Sequence, residues 1–199
     1  MSARPAVPRV LVIRAAPPWP APVPGGPAPD PGGPVALLVR GAQPIEAAGL
    51  PPGAILHLRC PGAAALATAL GLGLHLPADA DPAAWRARIG GLLGQSCHDG
   101  EALRRAEAAG CDYALLSPVF SPGSKPGDRR PILGLAGLRG LCAAVRLPVL
   151  ALGGIEAGRV AGCLQAGAWG VAGIGALATD EGLAAVVVAL RACAAREAG

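Results

Sequence analysis

The sequence predicts a compact (β/α)8 TIM barrel, one domain spanning residues 1–199, from an alternation of Val-, Leu- and Ile-rich runs with stretches of helical spacing. Eight such runs can be counted, and glycine clusters close the last two, as tight turns at strand carboxyl ends require. At 199 residues the chain is short for this fold, so some elements must be trimmed. An open doubly wound sheet is the other arrangement that this alternation allows.

The first four strands are expected at Val10 to Arg14, Val35 to Val39, Ile55 to Arg59 and Gly73 to Leu76. Between the first two, the segment 15–34 carries prolines at 17, 18, 20, 22, 24, 27, 29, 31 and 34. Each ring removes a backbone donor and clashes with the preceding turn, so no helix can run there. About a dozen residues, GAQPIEAAGLPPG, join the second strand to the third. The first two helices are therefore expected to be eroded or replaced by Pro/Gly-rich segments. In the second half, Leu92 to Cys97 is a strand, and Asp99 caps a helix whose apolar face includes Leu103 and Ala106 and which stops at Gly110. Strands follow at Tyr113 to Phe120, Pro148 to Leu152 and Gly170 to Ile174. Between them lie a polar loop from Ser121 to Arg130 and helices over 135–145 and Arg159 to Ala166, and Asp180 to Arg196 closes the chain as an amphipathic helix.

Composition narrows the function classes. With 52% hydrophobic residues the chain is not of the disordered class. Two charge-free stretches, Cys60 to Ala78 and Val160 to Thr179, have the length of a membrane span, but Pro61, Gly71 and Gly73 break the first, and Gln165 with repeated glycines breaks the second. No membrane association is expected. The apolar run near the N-terminus is too short for a secretion signal, which points to the cytoplasm. Six cysteines show no CxxC pair and no zinc spacing, so buried reduced thiols are expected. The net charge of +4 is scattered and only 3% of residues are aromatic, which argues against nucleic acid as a partner.

The chemistry concentrates at strand ends. Gly153 and Gly154 follow the seventh strand, and GIGAL, Gly173 to Leu177, follows the eighth. Without a Cβ, their backbone N–H groups can approach phosphate oxygens. Of 17 basic residues only Lys125 is a lysine, and it lies beside Ser124 in the loop after the sixth strand, where a mobile cation can cover a phosphate.

Five motifs in order, SPVF, Ser124-Lys125-Pro126, LGL at 133–135, PVLALGGI and GVAGIGAL, resemble the thiamine phosphate synthase and thiazole tautomerase family. The likeness is good over 92–177 and weak over 35–77. It implies a barrel that binds a small phosphorylated thiazole. Phosphate contacts map onto Ser124, Lys125, Gly153, Gly154, Ile174 and Gly175, and further substrate contacts onto Arg40, Ser117 and Ser121. The synthase branch joins a pyrimidine diphosphate to a thiazole phosphate, releases pyrophosphate and implies Mg²⁺. Its metal-ligand columns fall here on the His57 to Cys60 stretch and on Ala80, with Asp79 and Asp81 each one place off; Asp81 also suits a helix cap before Pro82. The tautomerase branch needs no cofactor and implies a histidine acid-base group, which maps onto His98. These departures favour a metal-independent tautomerase with His98 as its catalytic residue, ahead of a synthase and of a non-catalytic binding protein. Apolar residues on the last helix are compatible with a homodimer. Removal of the lysine side chain in Lys125→Ala is expected to weaken thiazole phosphate binding by about 1.5 to 3 kcal/mol in calorimetry.

Overall fold

The computed structural model describes residues 6–17, 35–121 and 130–197. Eight parallel strands close in chain order into a barrel: β1 (Val10–Arg14), β2 (Val35–Val39), β3 (Ile55–His57), β4 (Gly73–Leu76), β5 (Leu93–Cys97), β6 (Tyr113–Leu116), β7 (Val149–Leu152) and β8 (Gly170–Gly173). Closure comes from β8 pairing back on β1, with Val10 opposite Val171 and Leu11 opposite Ala172. The fold is therefore the TIM barrel that the alternation predicts, and the open sheet is excluded.

Among the described residues lie six α-helices: α1 (Ala63–Leu70), α2 (Ala83–Arg86), α3 (Gly100–Ala108), α4 (Gly134–Ala143), α5 (Ala157–Gln165) and α6 (Asp180–Glu197). The described part of the trimming is where the short connections place it. The described residues between β2 and β3 are turns, and α2 is a single turn. The proline-rich segment lies mostly outside the described residues. Asp99 caps α3 as expected, accepting from the Ala102 N–H at 2.8 Å.

Several ends differ from the sequence expectation. β3 stops at His57 rather than Arg59, because the Cys60 N–H turns back onto the His57 carbonyl at 2.9 Å. β6 stops at Leu116 rather than Phe120: Pro118 has no N–H to give, although Val119 still donates to the Leu152 carbonyl at 2.9 Å. β8 ends at Gly173, and α5 begins two residues before Arg159.

Side chains alternate across each strand, which divides the core in two. Leu11, Ile13, Leu38, Ile55, Tyr113, Leu115 and Leu150 fill the barrel interior. Val10, Val12, Val39, Leu74, Leu93, Leu116 and Val149 face the helical layer, where Leu103, Leu138, Val160 and Val186 meet them. Continued by one residue past the strand ends, the inward parity of β2, β5 and β6 reaches Arg40, His98 and Ser117. The strand period thus selects which side chains line the mouth.

The charge-free stretches are used inside the barrel wall, as α1 with β4 and as α5 with β8, and no helix among the described residues is long and apolar enough to cross a membrane. Cys60, Cys97, Cys111 and Cys163 are buried free thiols, while Cys142 and Cys193 are partly exposed. Burial pushes the Cys97 and Cys111 thiols up to about 12, which keeps them protonated and unreactive at neutral pH.

Candidate functional site

A cavity of about 730 Å³ opens at the carboxyl ends of β2 to β8. Eight residues singled out from sequence line it together: Arg40, His98, Ser117 and Ser121 on one set of strands, and Gly153, Gly154, Ile174 and Gly175 on the neighbouring pair β7 and β8. Ser124 and Lys125 lie outside the described residues.

At β7 the chain turns through two glycines in the left-handed region, Gly153 at φ 102° and Gly154 at φ 61°. A Cβ on Gly154 would stand 2.7 Å from the Ser121 carbonyl oxygen and 2.9 Å from the Phe120 Cβ. Gly175 differs: a Cβ there would meet nothing within 4 Å, so its small size leaves open cavity rather than relieving a clash. Beside this wall, Arg159 of α5 donates to the Gly154 carbonyl at 2.6 Å, pairs with Glu156 at 3.2 Å and stacks over Phe120 at 4.6 Å. It is a cation fixed next to the glycine turn.

The opposite wall, β2 to β5, holds a buried polar chain. Tyr113 reaches the His75 Nδ1 at 3.0 Å, and the His75 Nε2 lies 3.0 Å from the Ser96 Oγ. The phenol is fully buried and must place its one hydrogen, so it donates to Nδ1. Nε2 then carries the histidine proton and donates to Ser96, whose own hydrogen is left for the cavity it lines. His57 shares the pattern: its Nδ1 accepts from the Arg59 N–H at 3.2 Å, which puts its proton on Nε2.

Both histidines stay neutral at pH 7. Burial, helped by the Arg40 and Arg59 charges, lowers His57 from 6.5 to about 4, and burial with the neighbouring His57 holds His75 well below its ordinary value. In the unfolded chain both protonate near 6.5. Protonation at mildly acid pH therefore favours unfolding: stability is complete above pH 6.5 and falls as pH drops from 6.5 toward 4. From His57 alone, roughly 2 kcal/mol is expected to be lost between pH 7.5 and pH 5. Urea midpoints at the two pH values check this, and the loss should shrink in His57→Gln.

His98 sits at the end of β5 with its Nδ1 2.7 Å from the Ser117 carbonyl. The Arg130 Nη1 stands 2.8 Å from its Nδ1 and 2.9 Å from its Nε2, so the guanidinium lies against the ring between the two nitrogens.

The carboxylates of the cavity do not suit a divalent cation. Both Asp79 oxygens accept from the Arg59 Nη2, at 2.8 and 2.7 Å, and this contact holds its carboxyl below the usual range. Glu156 is paired with Arg159. Asp81 instead caps α2 through the Ala83 N–H at 3.0 Å, as its place before Pro82 suggested. Among the described residues no three His, Cys, Asp or Glu side chains converge as a metal site, and two guanidinium groups, Arg40 and Arg59, line the same cavity as Asp79, where a hydrated dication needs hard oxygen donors.

Glycine turns at β7 and β8 and several arginines line one cavity at the carboxyl ends of a (β/α)8 barrel. The chain belongs to the thiamine monophosphate synthase family, whose model matches residues 61–177. It is 44% identical over 122 residues to a thiamine-phosphate synthase of Methanoculleus marisnigri, covering 60% of this chain and 57% of that one. A thiamine-phosphate synthase of Moorella thermoacetica is 37% identical over 130 residues, 64% and 61% of the two chains. The match thus spans about six tenths of the length of these relatives. Among solved structures, thiamine phosphate pyrophosphorylase from Pyrococcus furiosus superposes with a TM-score of 0.64 at 21% identity, over 96% of this chain and 97% of that one, a likeness of fold.

Sequence reasoning did not find Arg59, Arg130, Arg159 or Ser96. The three arginines reach the cavity from loops and a helix, and in a chain where nearly every cation is arginine their identity carries no signal.

Proposed function

We propose that the protein is a thiamine phosphate synthase, joining a pyrimidine diphosphate to a thiazole phosphate. One observation carries the reading: the cavity has two cationic ends on opposite sides of the barrel, Arg159 with the glycine turns at β7 and β8, and Arg40 with Arg59 beyond β2 and β3. An isomerase acting on one phosphate needs one such end, whereas the condensation needs two.

Gly153, Gly154, Ile174 and Gly175 would hold the thiazole phosphate through backbone N–H groups, Ser124 and Lys125 would join them as the family resemblance implies, and Arg40 would take the diphosphate. Ser117 and Ser121 stand between the two ends. The thiazole ring nitrogen supplies the electron pair of the new C–N bond. The bond from the pyrimidine methylene carbon to the diphosphate oxygen breaks, and its electrons leave with pyrophosphate. The family assignment and the names of the relatives support this reading over the tautomerase that the sequence favoured.

The test is pyrophosphate release from the two substrates with the product identified by mass. Thiamine phosphate in equal amount with pyrophosphate is the expected result. No release, combined with thiazole isomerisation that His98→Ala abolishes, would overturn it in favour of the tautomerase.

A further inference from the structure

The Arg59 and Asp79 pair has no task in the packing. It lies at the cavity rim with both side chains largely exposed, at 64% and 70%, where an isolated ion pair contributes little to stability. Its geometry is nonetheless defined: one Nη2 bridges both carboxylate oxygens, so Asp79 fixes where the guanidinium stands and leaves its remaining N–H groups available to the cavity. Arg40 lines the same wall, and together the two arginines help to keep His57 neutral as a hydrogen-bond donor. Ser96 adds a hydroxyl hydrogen. Every polar side chain of this wall except Asp79 therefore offers hydrogens or positive charge, and Asp79 is already neutralised.

Such a wall suits a ligand segment rich in acceptor oxygens and carrying more than one negative charge. It does not suit a hydrated dication, which would have to compete with Arg59 for the carboxylate and sit beside two guanidinium charges. We propose that the Arg59 guanidinium, held by Asp79, takes the place of a divalent cation, so that this chain binds diphosphate without Mg²⁺. The inference rests on the reading that the wall receives a diphosphate.

Calorimetry with inorganic pyrophosphate as the probe, on the full chain in EDTA and again with excess Mg²⁺, tests it. Binding in EDTA is expected, not strengthened more than about twofold by Mg²⁺, and weakened at least tenfold in Arg59→Ala. In Arg59→Asp, which sets a second carboxylate beside Asp79, pyrophosphate binding in EDTA should be lost and Mn²⁺ binding should be gained, read by electron paramagnetic resonance. Both variants change an exposed side chain, and circular dichroism melts verify that they fold. Pyrophosphate binding by the parent only when Mg²⁺ is present would overturn the proposal and leave the synthase reading standing. No pyrophosphate binding under either condition would overturn both. Parent-like affinity in Arg59→Ala would remove Arg59 from the role.

Discussion

Gly154→Val is expected to abolish protection by phosphate and to lower the melting temperature by about 5 to 15 °C while the barrel still folds. Two costs add at this position. Gly154 has φ 61°, a conformation that costs a residue with a Cβ roughly 1 to 2 kcal/mol, and more for a branched one. The new Cβ would also press against the Ser121 carbonyl oxygen at 2.7 Å and the Phe120 Cβ at 2.9 Å, and such overpacking costs about 1 to 3 kcal/mol. Relief requires the turn to move, and with it the Gly154 carbonyl that anchors Arg159 at 2.6 Å. The backbone N–H groups and the neighbouring cation would leave their places together. Thermal melts with and without inorganic phosphate read both effects. Gly175→Ala is the control, because a Cβ there meets nothing: its melting temperature without phosphate should stay near the parent's, while phosphate protection falls. If Gly154→Val keeps the parent's protection, the turn does not bind phosphate.

The sequence was most legible where one residue decides the backbone. Asp99 announced the start of α3, and Gly153 and Gly154 marked the end of β7. Strand periodicity did the rest for the barrel, and its parity carried Arg40, His98 and Ser117 to the mouth. The illegible part was pairing. Asp79 and Asp81 are two residues apart and equally acidic, but one meets Arg59, 20 residues away, and the other caps the helix at its own door. Only the folded geometry separates them. The same holds for His57 and His75: their position near strand ends was visible, but their neutrality depends on burial and on Arg40, set by the closure of the barrel.

Gly94→Ala should be among the most damaging small substitutions in the chain, although Gly94 has an ordinary backbone conformation and is the second residue of β5. Inward parity points its missing side chain at Tyr113: a Cβ would lie 2.1 Å from the ring Cζ and 2.5 Å from the hydroxyl oxygen. The ring cannot retreat, because it is fully buried among Ile55, Leu115 and Leu150. Displacing it costs packing, and it also takes the phenol from His75, leaving a buried imidazole short of a partner, for about 1 to 3 kcal/mol more. A total of roughly 3 to 5 kcal/mol, or about 10 to 15 °C in melting temperature, is expected. Ser96 would then lose the donor that sets its orientation, so pyrophosphate affinity should fall in whatever folded protein remains. The clash has one identifiable cause, which makes it separable from general fragility of the strand. In a Tyr113→Leu background the ring is gone, and Gly94→Ala should cost at least 1 kcal/mol less than in the parent, a coupling that a double-mutant cycle measures directly. Additive losses would show that Gly94 is required for some other reason than the space it leaves for the tyrosine.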